Sequence, residues 1–214
     1  MTQAPPRTRD VLRETAAARV VWLQKRALAN VSDAVATLAR LRRCDPATVG
    51  TDPLVWDVTL GDLPSQLTWA ESDAPTPAER ALHASLVLYA LHQQSGDQPV
   101  HRPGVRFGAA VGQLARARAI DEDLDSATVG RLRHSALATD FEGHLHHLRG
   151  LIQLMRAESP SIGLDYGLLA VDLWQLADPR QDSGTVLSSW GRGLHQRPRN
   201  TEPTTNITAT EETK

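Results

Sequence analysis

The sequence predicts an all-α protein, a bundle of about eight or nine helices in two small packed lobes. Three observations carry this expectation. Leu and Ala dominate the apolar residues while Phe, Trp and Tyr together make up only 4% of the chain, a balance that favours helices over strands. Apolar residues recur at intervals of three and four through most of the sequence. Proline, glycine and aspartate cluster between those periodic stretches, at helix-length intervals. At 214 residues and 41% hydrophobic, the chain suits one domain or two small lobes, with enough apolar side chain for a real core.

The elements follow in order. Residues 1–8 (MTQAPPRT) read as a flexible start, and helical periodicity begins over 9–28 and 32–43, ending at Asp45-Pro46. A Pro/Gly/Asp-rich stretch, 45–77, holds a short helix near 53–60, with Trp56 and Trp69 as expected packing anchors. Pro77 fits a first helical turn and opens 77–94, which Ser95-Gly96-Asp97 stops. Further helices are expected at 104–118, 126–138, 141–157, 165–177 and 184–196, with Asp125 or Ser126 and Asp165 as N-caps. The all-helical domain thus runs over 9–197, with a lobe boundary near 95–125. Residues 198–214 are polar and Thr-rich and read as a disordered tail.

Composition excludes several classes. The lone Cys44 rules out an internal disulfide framework and a CxxC site. With no apolar leader and no run long enough to span a bilayer, the expectation is a cytoplasmic protein without membrane contact, in which the sequons at Asn30 and Asn206 carry no weight. No glycine loop precedes a helix, so neither a Walker A nor a Rossmann fingerprint is present. Of the 23 basic residues only Lys25 and Lys214 are lysine; the rest are arginine, whose planar fork of donors suits phosphate. Yet the net charge is −2, where a free-standing nucleic-acid binder is usually basic. Any strand contact is therefore local, or shared with partners.

Few constellations offer catalysis. Asp140, His144 and His147 stand at i, i+4 and i+7 on one helix face, as helix-borne metal ligands do, but no HExxH or ExxH pair and no second carboxylate helix answers them. Asp121, Asp123 and Asp125 resemble the start of an EF-hand loop, which fails at Ser126 and Leu132, where Gly and Glu belong. Cys44 follows two arginines that would lower its pKa, with only the sequence-distant His83, His92 and His101 as chance partners. There is no GxSxG. The expectation is a protein that is not an enzyme and holds no cofactor or metal.

The arginines are more informative. On 32–43 the buried stripe is Val35, Leu38 and Leu41, with Arg42 near the azimuth of Val35 at the helix end and Arg40 and Arg43 swung away. On 104–118 Phe107, Val111 and Leu114 face the core, while Arg106, Gln113 and Arg116 share a polar face. On 141–157 the core line is Phe141, Leu145, Leu148, Ile152 and Met155. Beside it runs a ribbon of Glu142, His146, Arg149, Gln153 and Arg156, about 20 Å of polar groups that can follow a phosphate backbone. Arg118 and Arg133 lie near apolar azimuths, as does Arg42, where a buried ion pair or subunit contact is the competing reading. From the residues alone three readings stand: a nucleic-acid-binding structural protein, a protein-only helical scaffold or regulator, and a helical metalloprotein using Asp140, His144 and His147.

The order of segments resembles the CasB family, the small subunit of the type I-E CRISPR Cascade complex. The resemblance is carried by LARLRRC (38–44), AERALHASLVLYALHQQ (78–94), HRPGVRFGAAVGQLARAR (101–118), VGRLRHSALATDFEGHLHHLRGLIQLMRAESPSIGLDYGLLAVDLWQL (129–176) and SSWGRGL (188–194). It covers roughly 10–196. Two departures stand out: Gly130-Arg131-Leu132 where the family often has two arginines and an aromatic, and Gly193-Leu194 in place of an acidic-aromatic pair. The resemblance implies an all-α, non-catalytic subunit in antiviral defence. It would stabilise the R-loop beside the backbone and large subunits and a second copy of itself, touching guide RNA, target DNA and the displaced strand. Arg42 and Arg43 match the family's RR pair, Arg131 its Arg-rich helix and Arg149 its LRxLI arginine. Arg106, Arg116, Arg118, Arg133 and Arg156 join them from helix-face geometry alone.

Overall fold

The computed structural model describes residues 7–69, 73–121 and 123–196. Of the flexible start expected over 1–8, residues 1–6 lie outside the described residues, as does the tail expected at 198–214, while Thr8 already belongs to the first helix. Ten α-helices and no strands are found among the described residues: α1 (Thr8–Leu28), α2 (Ser32–Leu41), α3 (Trp56–Thr59), α4 (Ser65–Thr68), α5 (Pro77–Gln93), α6 (Phe107–Ala117), α7 (Ser126–Ala136), α8 (Phe141–Ala157), α9 (Tyr166–Ala177) and α10 (Ser183–His195). The all-helical expectation holds. A 3-10 turn at Pro53–Val55, capped by the Asp52 carboxylate, leads into α3.

Helix α5 is the hub. Every residue from Ala81 to Gln93 is buried, because its neighbours α1, α2, α8 and α9 enclose it on all sides. Its start is fixed by a capping box in which Thr76 Oγ1 accepts from Glu79 N (3.0 Å) and Glu79 Oε2 accepts from Thr76 N (2.7 Å). Around it, α1 turns Leu12, Ala16, Val20 and Leu23 inward. Helix α8 buries Phe141, Leu145, Leu148, Ile152 and Met155, as its periodicity predicts, together with Leu151. The buried apolar side chains form one continuous cluster that runs through every long helix.

Helices α6 and α10 cross backbone to backbone. A Cβ on Gly108 would lie 2.6 Å from Trp190 Cα, and one on Gly193 would lie 2.7 Å from Ala109 N. Gly193 thus answers a packing need, and the Phe107 and Trp190 rings meet beside the crossing at 4.9 Å between centroids.

Several expectations are corrected. The helix foreseen at 104–118 starts at Phe107, because Gly104 adopts φ +83° and the segment before it pairs elsewhere. Leu164 N donates to Val100 O (3.0 Å), Arg102 N to Leu164 O (2.9 Å) and Asp165 N to Val105 O (2.8 Å). Asp165 also caps α9 through Oδ1, which accepts from Gly167 N (2.9 Å) and Leu168 N (3.1 Å), while its Oδ2 accepts from Gly104 N (2.8 Å). Of the two N-cap candidates for α7 it is Asp125, accepting from Thr128 N at 2.9 Å. Val35, placed in the core by its spacing, is 42% exposed; Ala34, Leu38 and Leu41 form the buried line of α2. Trp56 and Trp69 are 46% and 77% exposed and are not anchors. Val55, Thr59 and Leu67 bury that segment instead, and α4 is a turn of helix that sequence periodicity did not indicate.

Candidate nucleic-acid interface

Helix α2 ends at Leu41, two residues earlier than its periodicity suggested, and its last turn continues as hydrogen-bonded turns. Arg42 N donates to Leu38 O (3.1 Å), Arg43 N to Arg40 O (2.8 Å) and Cys44 N to Leu41 O (3.1 Å). This places the arginine pair on a rigid helix terminus. Facing it is the N-terminal half of α8. A cleft of ≈ 370 Å³ forms between them, lined by Arg42, Arg43, Asp45, Glu142, His146 and Arg149. Arg131, on α7, belongs to the same neighbourhood. Its Nη1 would lie 3.9 Å from a Cβ on Gly150, so its head reaches α8 one residue from Arg149.

The guanidinium groups divide by what they touch. Among the described residues, Arg42, Arg43, Arg131, Arg133, Arg149 and Arg156 hold no hydrogen bond or ion pair through their side chains. Arg116 and Arg118 do. Arg116 donates from Nη1 to Leu194 O (3.3 Å) and from Nη2 to Gln196 O (2.9 Å), fastening α6 to the end of α10. Arg118 pairs with Glu158 at 3.0 Å. Arg106 stands apart at the N-cap of α6, in a second cleft described below. Along α8, Glu142, His146 and Gln153 are exposed and Arg149 and Arg156 half-buried, so the ribbon lies on the surface as its spacing predicts. Its far end turns toward the core. Burial first, and the nearby Arg156 charge second, push the His92 pKa down to about 4.

The residues considered for metal are occupied separately. Asp140 caps α8, its Oδ1 accepting from Gly143 N at 2.7 Å. His144 is buried with Nδ1 2.7 Å from Ser135 O, and His147 stacks loosely near His134 (6.1 Å) and His146 (5.4 Å). No group of three His, Cys, Asp or Glu among the described residues is placed to hold a metal ion. Cys44 is buried with Sγ 3.5 Å from Arg40 O, and burial pushes its thiol pKa up, against the lowering expected from the neighbouring arginines. His83 bonds Asp45 O (3.0 Å), while His92 and His101 pack around Tyr166, so the four form no nucleophilic unit. No helix among the described residues is long and apolar enough to cross a membrane.

A second and larger cleft, ≈ 920 Å³, opens between the start of α1, α9 and α10, with Arg9, Arg106, Asp172, Gln175, Ser189 and Arg192 in its lining. Of these residues only Arg106 is a candidate from the sequence. A signal was available in Asp172, the single charge inside the apolar run YGLLAVDLWQLA of α9. Arg9 and Arg192 lie at opposite ends of the chain, and nothing local joins them.

The fold and its unpartnered arginines define a helical protein that presents cationic clefts on a near-neutral body. Comparison with known proteins makes that class specific. A family model described as CRISPR-associated protein Cse2 matches residues 37–195, and the chain belongs to this family. The structure resembles the crystal structure of CasB from Thermobifida fusca with a TM-score of 0.70 and 31% identity, covering 87% of this chain and 98% of that one. It also resembles a chain of a CRISPR RNA-guided surveillance complex, with a TM-score of 0.59 and 23% identity over 86% of this chain and 95% of the other, a likeness of fold. The comparison with curated proteins returned no match. The resemblance read in the sequence, to the small subunit of type I-E Cascade, is borne out.

Proposed function

We propose that this chain is a non-catalytic subunit of a Cascade complex and stabilises the R-loop through arginines on its helix faces, in antiviral defence. Its partners in this reading are the backbone and large subunits, a second copy of itself, the guide RNA, and the target DNA including the displaced strand. One observation carries it. Arg42, Arg43 and Arg149, distant in sequence, meet in one cleft with Arg131 at its side, and none is held by another described side chain. Free guanidinium groups on rigid helices suit backbone phosphates, and arginine is the residue that binds them with two parallel donors.

The near-neutral charge fits this reading. Exchange of a DNA duplex for a guide–target hybrid is nearly balanced in free energy, so a few phosphate contacts tip it. A strand already held by neighbouring subunits reaches the cleft at high effective concentration, and no large positive field is needed. Arg133 and Arg156 extend the track as further donors. Arg106, Arg116 and Arg118 join it less directly, since the last two already have partners within the chain. The test is the reassembled complex carrying Arg42→Ala, Arg43→Ala and Arg149→Ala together. R-loop formation on duplex DNA should fall and its salt dependence flatten. Unchanged R-loop yield with this variant incorporated would leave the protein-only scaffold reading in its place.

A further inference from the structure

The second cleft combines a buried carboxylate with three guanidinium groups. Asp172 at its floor is only 5% exposed. Its Oδ2 accepts from Trp190 Nε1 at 2.8 Å, and no other described group donates to this carboxylate. Arg9, from the first turn of α1, and Arg106, from the N-cap of α6, are close enough to act on it electrostatically, yet neither forms an ion pair with it. Arg192, on α10, completes the lining. Among the described residues none of the three guanidinium groups has a hydrogen-bond or ion-pair partner.

An occupant must be anionic where it meets the arginines and an N–H donor where it meets the carboxylate. An acidic peptide fails at the floor, because its carboxylate would face Asp172. A lysine or arginine side chain fails earlier, since it must pass three like charges. A nucleotide satisfies both conditions, with phosphate at the arginines and base edge at the floor. Cytosine, adenine and guanine carry an exocyclic amine that a carboxylate accepts well. Thymine and uracil do not: their single ring N–H lies between two carbonyl oxygens that would oppose the carboxylate.

We infer that this cleft receives one extruded nucleobase bearing an exocyclic amine, bonded to Asp172, with its flanking phosphates on Arg9, Arg106 and Arg192. The inference rests on the nucleic-acid reading above but shares only Arg106 with its arginines. An unpaired strand is the favoured source, because turning a base out of it costs least.

The test measures binding of the full chain, in low-salt buffer, to labelled oligo(dC) and oligo(dT) of about fifteen nucleotides. Oligo(dC) should bind about tenfold more tightly than oligo(dT). Asp172→Asn keeps an oxygen for the Trp190 indole but adds an N–H donor, so the ratio should fall to one or invert. A misfolded variant would not invert a preference. Arg192→Ala should weaken both oligonucleotides and leave the ratio in place. Equal binding of the two by the parent chain, or a preference that survives Asp172→Asn, overturns the inference while leaving the arginine track intact. No salt-dependent binding of either oligonucleotide overturns the extruded-base inference, whereas the arginine track, which acts on strands delivered by the assembly, falls only with the R-loop yield of the reassembled complex. If free dCMP binds as tightly as oligo(dC), or an oligoglutamate peptide displaces oligo(dC), the cleft serves a mononucleotide or a protein instead, and the extruded-base inference fails.

Discussion

The junction of α2 with α8 and the crossing of α6 with α10 both present arginines, but they are built on different foundations. At the first, Arg42, Arg43 and Arg149 project from helix surfaces above a core of Leu38, Leu41, Leu145 and Leu148. The buried His83 bonds the main chain at Asp45 and none of these guanidinium groups, so their removal leaves the packing alone. At the second, Arg106 and Arg192 flank a buried carboxylate, and the helices that carry them touch through glycines. There recognition and stability share residues. A cationic surface of the first kind tolerates change residue by residue. One of the second kind changes as a unit.

The largest effect should come from the glycine crossing. Gly108→Val would drive a side chain into the Trp190 backbone and is expected to destabilise the protein by roughly 3 kcal/mol or more. Chemical denaturation reads this directly, and a loss below about 1 kcal/mol would show that α6 and α10 separate easily.

Next is the pH dependence of Asp172. Burial raises its folded-state pKa from 3.8 to about 6, with the Trp190 hydrogen bond opposing the shift. The folded protein therefore holds this proton more tightly than the unfolded chain, and stability is lost as pH rises between about 4 and 6. Asp172→Asn removes that loss. Its stability relative to the parent should improve across this window by on the order of 2–3 kcal/mol, measured by denaturation at several pH values. A pH-independent difference would mean the carboxylate is better solvated than its burial indicates.

The α2–α8 junction should behave in the opposite manner. The Arg42→Ala, Arg43→Ala, Arg149→Ala variant should change stability by less than about 1 kcal/mol. It should lower the slope of log affinity against log salt by about 2, for three phosphate contacts. A full slope with weakened binding would assign these residues to base or protein contacts. The smallest effect belongs to Arg118→Ala. Its pair with Glu158 is partly exposed, so at most about 1 kcal/mol of stability is at stake. Strand affinity should fall only slightly, since Arg118 is already paired, and a large loss would place it among the direct contacts.

The helices were legible because their stripes are strong. The five core positions of α8 and the cap at Asp165 are local signals, and tertiary packing agreed with them. The tryptophans of the 45–77 stretch misled, since a loop residue's burial depends on which distant helix covers it. Val35 misled for a related reason: on a ten-residue helix, neighbouring azimuths differ little in the pattern and greatly in what they meet. For the site, the Arg42–Arg43 pair and Arg149 were legible through arginine chemistry and family resemblance together. Which arginines are already engaged was not, because Glu158 and the carbonyl of Leu194 lie far along the chain from Arg118 and Arg116. Asp172 was visible as an acid in an apolar helix, but its meaning depends on Arg9, Arg106 and Trp190, which only the fold assembles.

Asp165 has two oxygens and three amides to serve. One oxygen begins α9, and the other ties down the bend at Gly104 that precedes α6. Asparagine offers a single oxygen, so it could preserve the helix start or the bend but not both. The angle at which α6 leaves its loop, and with it the reach of Arg106 toward Asp172, is thereby geared to the start of the helix that carries Asp172. One carboxylate keeps the two walls of the larger cleft in step.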